Sequence, residues 1–173
     1  MTFSILARDK DTNEIGGAAA TGSYCVGGWV LRGSLNAGLS ASQGASASTL
    51  WGEQTLDFLE SGLNARDAIN KVVNADEGKE HRQLSCMTLD GDTFSFTGNQ
   101  NTNEYFHHSE NNLVVAGNML SNKNVISEMV SYFKASSGDL STRLVETLKK
   151  GEEAGSDIRG LKSSSLLVLD ENK

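Results

Sequence analysis

Thr2 is the residue on which chemistry could begin. It follows the initiator methionine and opens a β-like run, Thr2-Phe3-Ser4-Ile5-Leu6-Ala7-Arg8-Asp9. Methionine is readily removed when the next residue is small, and its removal would make Thr2 the first residue. A threonine at the start of a chain carries a hydroxyl and its own α-amine. The reference pKa of an α-amine is about 7.7–8.0, so a useful fraction is neutral near pH 7. That amine can act as general base to the hydroxyl without a histidine. Threonine at position 2 is common, and this feature alone does not decide for catalysis.

Other routes to a nucleophile or a metal find little support. The chain has no Gly-x-Ser-x-Gly turn, no phosphate-binding Walker loop, no His-Glu-x-x-His and no Cys-x-x-Cys. His81, His107 and His108 are the only histidines, and their spacing selects none as a base. Neighbouring His107 and His108 would point to opposite sides of a strand, a poor arrangement for a shared metal. Asp90-Gly91-Asp92 begins like a calcium loop but lacks the later ligands, and it reads as a hairpin turn. Cys25 and Cys86 have neither metal spacing nor a disulfide framework, so both read as reduced cysteines packed as small hydrophobes. No metal and no cofactor are expected.

The elements that would position Thr2 follow from periodicity. Phe3, Ile5 and Ala7 alternate with Ser4, Leu6 and Arg8, which predicts a strand with both faces partly apolar. The polar run 10–14 predicts a hairpin connection to a strand at Ile15–Thr21. Its Gly and Ala content predicts close approach by a neighbouring layer. Runs at 24–31 and 35–43 are expected to complete a four-strand unit. A helix is predicted from about Ser46–Thr49 to just before Gly62. A second follows, with Asn64 as N-cap and Ala68, Ile69, Val72 and Val73 on its apolar face, ending near Gly78. Strands are expected at 82–89, 93–97 and 113–116, helices at 122–135 and 140–150, and a last strand at 163–169. The polar stretch 98–112 resists assignment. Blocks of strands and blocks of helices predict an α+β fold rather than alternating βαβ units. No internal repeat or linker divides the chain, so residues 1–173 are expected to form a single domain.

Composition narrows the function classes. The 173 residues carry a net charge of −7, with 38% hydrophobic and 21% charged residues. That balance excludes wholesale disorder. It argues against a nucleic-acid partner, which calls for a basic face. No apolar run approaches the roughly 18–20 residues of a membrane span, and the N-terminus has no basic, long-apolar signal segment. No membrane partner and a cytoplasmic location are expected. The chain has 18 glycines and no proline, an absence for which composition offers no physical account.

Several short strings occur together in a telling order. They are Thr2-Phe-Ser-Ile-Leu-Ala-Arg-Asp9, the small-residue strand ending near Thr21, and Ser40-Ala-Ser-Gln43. Phe96-Thr97-Gly98, Gly117-Asn118-Met119-Leu120, Gly155-Ser-Asp157-Ile-Arg159-Gly160 and Ser163-Ser-Ser-Leu166 follow. In this order the chain resembles an uncharacterised family of the N-terminal-nucleophile (Ntn) hydrolase superfamily, domain of unknown function family 1028. The resemblance runs from residue 2 to about 169. It implies a four-layer αββα sandwich, two antiparallel sheets face to face with helices outside. It also implies amide-bond cleavage through an acyl-enzyme on Thr2, acting on a small-molecule or peptide-like substrate. The family fixes no substrate.

Carried over by position, the resemblance makes Gly117 and Asn118 candidates for the oxyanion site. Either a backbone N–H or the Asn118 amide would be the donor. Gln43 would offer an amide to substrate. Asp157 and Arg159 would orient the α-amine or bind a substrate carboxylate, or pair with each other. Asn118 reads equally as a helix cap or turn residue. Ser163 would face the site from the last strand. Arg8 is a further substrate-binding candidate, although an extended strand would place it about 20 Å from Thr2, where a structural role is at least as fitting. Lys162 stands where relatives carry glutamine. Relatives also continue beyond the last strand, and a sheet edge left open there would favour a homodimer. The alternative reading is a non-catalytic ligand-binding or assembly protein on the same fold.

Overall fold

The computed structural model describes residues 2–102 and 104–170. The first strands are β1 (Thr2–Arg8) and β2 (Ile15–Thr21). A single helical turn α1 (Val26–Trp29), β3 (Leu31–Ser34) and β4 (Gly38–Gly44) follow. Helices α2 (Thr49–Glu60) and α3 (Ala65–Asn74) precede β5 (Arg82–Thr88), β6 (Thr93–Thr97), β7 (Glu104–Glu110) and β8 (Leu113–Leu120). The chain continues through α4 (Asn124–Ala135), α5 (Leu140–Glu153) and β9 (Ser163–Leu169).

The strands form two antiparallel sheets. One has the order β7-β8-β1-β2-β9 and the other β3-β4-β5-β6. The alternation in β1 divides its side chains between two cores, which is why both faces are apolar. Phe3, Ile5 and Ala7 pack with Met129, Phe133, Leu144 and Leu148 of α4 and α5. Leu6 turns the other way and meets Leu39, Ala41 and Met87 of the second sheet. On the far side, Trp51, Ile69 and Val72 of α2 and α3 cover Leu84 and Cys86. The result is a four-layer αββα sandwich. Full burial of each large aliphatic or aromatic side chain in these layers contributes about 1.5–3 kcal/mol.

The small residues of β2 admit close neighbours, as their composition predicts. A Cβ on Gly16 would lie 2.8 Å from Leu144 Cδ1, and one on Gly17 would lie 2.6 Å from Leu6 Cδ2. Asn64 caps α3, its Oδ1 accepting from the Asp67 N–H at 2.8 Å. The Asp90-Gly91-Asp92 turn joins β5 to β6.

Several expectations need correction. The strand expected at 24–31 is instead the turn α1, entered through Cys25 at φ 61°, with only Leu31 reaching β3. The first four strands do not form one unit: β1 and β2 lie in one sheet, β3 and β4 in the other. Cys25 is exposed, so only Cys86 is a packed hydrophobe. Helix α3 stops at Asn74, where Asp76 Oδ1 accepts the Gly78 N–H and turns the chain early. The stretch left unassigned contains β7, an edge strand whose solvent face explains its polarity. β8 runs four residues beyond Ala116, because pairing with β1 and β7 outweighs its loss of apolar character.

Candidate active site

Register builds the site. In the first sheet Thr2 lies opposite Asn118 on one side and Thr21 on the other, and Thr21 lies opposite Ser163. Residues directly opposite in antiparallel strands share a face. These four share the face of Leu6, toward the second sheet. In that sheet Gln43 lies opposite Gln83, and Gln83 opposite Thr97. Two polar rows therefore meet at one end of a sandwich whose middle is apolar.

The Thr2 hydroxyl donates to Thr21 Oγ1 at 3.2 Å, and Thr21 Oγ1 also accepts the Ser23 N–H at 3.3 Å. Gln43 Nε2 reaches the Thr2 carbonyl at 3.4 Å and donates to Gln83 Oε1 at 2.7 Å. Asn118 Nδ2 donates to the same oxygen at 3.3 Å. Gln83 Nε2 in turn meets Thr97 Oγ1 at 2.9 Å and the carbonyls of Phe106 and Gly117 at 3.1 Å each. Thr2 keeps 7% of its surface exposed, whereas Gln43, Gln83 and Asn118 are buried. In a low-dielectric interior this network of amides and backbone carbonyls holds its members rigidly.

A second group closes the rim beside Thr21. Asp157 is buried, and its Oδ2 accepts the Gly22 N–H at 2.6 Å. Its carboxylate also takes the Arg159 backbone N–H at 2.7 Å and the guanidinium at 3.1 Å. Gly22 is needed here, since a Cβ would lie 2.7 Å from Asp157 Oδ1 and from the Gly160 carbonyl. Arg159 Nη1 donates to Ser23 Oγ at 3.2 Å. Ser163 Oγ accepts the Val26 N–H at 3.1 Å and donates to the Ser23 carbonyl at 2.8 Å.

The structure thus gathers Thr2, Gln43, Gly117 and Asn118 into one cluster, with Asp157, Arg159 and Ser163 along its rim. Asp157 and Arg159 form the mutual ion pair that was the competing reading. Asn118 is neither a helix cap nor a turn residue; it lies within β8. Arg8 is not brought to the cluster. It ends β1 at the opposite pole, where its guanidinium meets Asn13 Oδ1 and Asn112 Oδ1. Met1 lies outside the described residues.

Thr21, Gln83 and Thr97 were missed. Gln83 had one legible signal, a polar residue heading a run that alternates with Leu84 and Cys86. His107 touches only the outer end of the row, its Nδ1 2.8 Å from Thr97 Oγ1, and desolvation pushes its pKa down.

The chain matches Family of unknown function (DUF1028) over residues 2–173. It belongs to that family. Among solved structures, the DUF1028 protein SPO2555 of Silicibacter pomeroyi is 47% identical, with a TM-score of 0.93 over 98% of this chain and 76% of that one. HslV of Trypanosoma brucei is similar at 12% identity and a TM-score of 0.62, covering 98% of this chain and 99% of that one. Thiobacillus denitrificans BPH is similar at 16% identity and a TM-score of 0.57, covering 98% of each chain. The last two likenesses show the fold, which for this DUF1028 chain is Ntn-hydrolase-like. A search of curated proteins gives no match. Among the described residues no helix is long and apolar enough to cross a membrane.

Proposed function

We propose that this chain is an Ntn-type amidohydrolase that cleaves the C–N bond of a small amide or peptide-like substrate through an ester on Thr2. The observation that carries the reading is the Thr2 hydroxyl. It heads β1 and is held by the Thr21 hydroxyl, with Gln43 Nε2 on the Thr2 carbonyl and Asn118 opposite in the next strand.

The mechanism requires removal of Met1, so that the Thr2 nitrogen is an amine. Thr2 Oγ1 adds to the substrate carbonyl carbon as its proton passes to that amine. The Asn118 amide, or a backbone N–H at Gly117 or Asn118, stabilises the oxyanion. The proton then moves to the departing nitrogen, the C–N bond breaks, and an amine leaves. Water hydrolyses the Thr2 ester, releasing the acid and restoring the hydroxyl. Gln43 fixes the Thr2 backbone. Arg159 supplies a cation at the rim for a substrate carboxylate. Asp157 and Ser163 hold the loop that forms this rim. Arg8, at the far pole, takes no part.

Turnover of a panel of small amides and dipeptides, followed by amine release, tests the proposal. Wild type is expected to hydrolyse at least one member, and Thr2→Ala to lose about 10³-fold or more of that activity. Equal activity in Thr2→Ala would contradict it. Tight binding of a panel member without turnover would favour a ligand-binding protein instead.

A further inference from the structure

Gln83 is fully buried at the centre of the second polar row. Its Nε2 lies 3.1 Å from the carbonyl oxygens of both Phe106 and Gly117. A backbone carbonyl can only accept, so the Gln83 amide has one orientation, with its NH2 toward β7 and β8. Its Oε1 must then face Gln43 and Asn118, where it accepts from Gln43 Nε2 at 2.7 Å and Asn118 Nδ2 at 3.3 Å. Those two amides are fixed in turn, each with its NH2 toward Gln83. Their carbonyl oxygens, Gln43 Oε1 and Asn118 Oδ1, are left buried with no partner among the described residues. Buried acceptors without donors are costly, and natural proteins keep few of them.

We propose that Gln83 is the positioning residue of this site. It orients Gln43 and Asn118 so that both present acceptors, and those acceptors take an N–H of the substrate bound at Thr2. The orientation stands on the hydrogen bonds alone, whereas the substrate N–H rests on the Thr2 reading above. One consequence concerns the oxyanion: Asn118 Nδ2 gives one of its two hydrogens to Gln83, and the other is held in a fixed direction as a donor. A substrate with an N–H flanking its scissile carbonyl, such as a peptide or a primary amide, fits two such acceptors.

Two measurements separate the orientation from the chemistry. Side-chain amide exchange, followed by NMR on the ¹⁵N-labelled wild-type protein, reads whether those NH2 groups are held in hydrogen bonds. The Gln43 and Asn118 NH2 protons are expected to exchange at least tenfold more slowly than those of exposed Asn and Gln. Gln83→Met is expected to abolish that protection. Exchange as fast as at the surface in the wild type would overturn the proposal, and this arm needs no variant to fold.

Covalent labelling of Thr2 by a β-lactone reads the consequence. Folded Gln83→Met is expected to label at least tenfold more slowly. Gln83→Glu can still donate and accept while its carboxyl is protonated. Its rate relative to wild type is therefore expected to fall as pH rises, a dependence that a merely space-filling residue would not create. Wild-type labelling rates in both folded variants would overturn the proposal. Protected amides in a wild-type protein that takes no label would uphold the orienting role of Gln83 and remove the Thr2 reading.

Discussion

Thr2 and Thr21 face each other across the open end of the β1–β2 hairpin, and the hydroxyl of Thr2 donates to that of Thr21 at 3.2 Å. The bond turns the hydroxyl of the first strand residue into an oriented group. The bond sets the Thr2 side-chain rotamer before any substrate arrives, and the proton turns from Thr21 to the α-amine as the oxygen attacks. Pre-set geometry of this kind lowers the entropic part of a reaction barrier.

Thr21→Val keeps the shape of Thr21 but removes the acceptor. The Thr2 hydroxyl would lose its partner in a nearly dry site, a cost of about 1–3 kcal/mol. The expected outcome is a lower midpoint of thermal unfolding and slower Thr2 labelling. Thr21→Ser is expected to restore most of both, because the acceptor returns.

Asp157→Asn removes the charge that ties the Gly22 N–H to the Arg159 guanidinium. Arg159 is partly exposed, which weakens the ion pair, so the loss lies nearer that of a charged hydrogen bond, about 1.5–3 kcal/mol. Calorimetry should find the variant folded and less stable. Limited proteolysis should cut preferentially near residues 22–25, the loop this carboxylate holds.

Acid should unfold the protein through several carboxylates at once. Burial would raise the Asp9 pKa, but the Thr12 and Asp11 N–H groups and the Arg143 guanidinium outweigh it and hold the carboxyl below its ordinary value. Asp139, which caps α5, is lowered to about 2 by the Ser141 hydroxyl and the Thr142 N–H. A depressed carboxylate contributes stability that is complete above its unfolded pKa and is lost as pH falls through the folded value. Stability measured by denaturant titration should therefore be flat above about pH 5 and fall between about pH 4 and 2.

Much of the frame was legible because burial writes itself into periodicity. β9 spans the residues expected for the last strand, and Asn64 caps α3 as its spacing with Asp67 suggests. The failures share a cause. Residues 24–31 look like a strand by composition, yet Cys25 in the left-handed region and the Gly27-Gly28 pair let the chain coil into a single turn. β7 gave no periodic signal because an edge strand answers to solvent. Of the candidate site, Thr2 was legible from its own chemistry, Gln43 and Asn118 by resemblance, and Thr21 and Gln83 not at all. Thr2, Asn118, Thr21, Gln43 and Gln83 are spread over 117 residues, and what unites them is strand register, which no local pattern encodes. Arg8 illustrates the converse: it is near Thr2 in sequence, but an extended strand carries it to the other pole.

The rate of Thr2 labelling should rise with pH. The base is the α-amine, whose neutral fraction grows through about pH 7.7–8.0. A plot of rate against pH should climb from about pH 6.5 and level off above about 8.5. A bell or a falling curve would point to a different base.

The central claim, that Thr2 is a free and reactive N-terminal residue, is tested most directly by intact-protein mass spectrometry before and after a β-lactone probe. The account predicts a native mass lower by one methionine, a single adduct, and a peptide map that places the adduct on Thr2. A protein that retains its methionine and takes no adduct would contradict it, leaving the fold in place and the catalytic reading without its nucleophile.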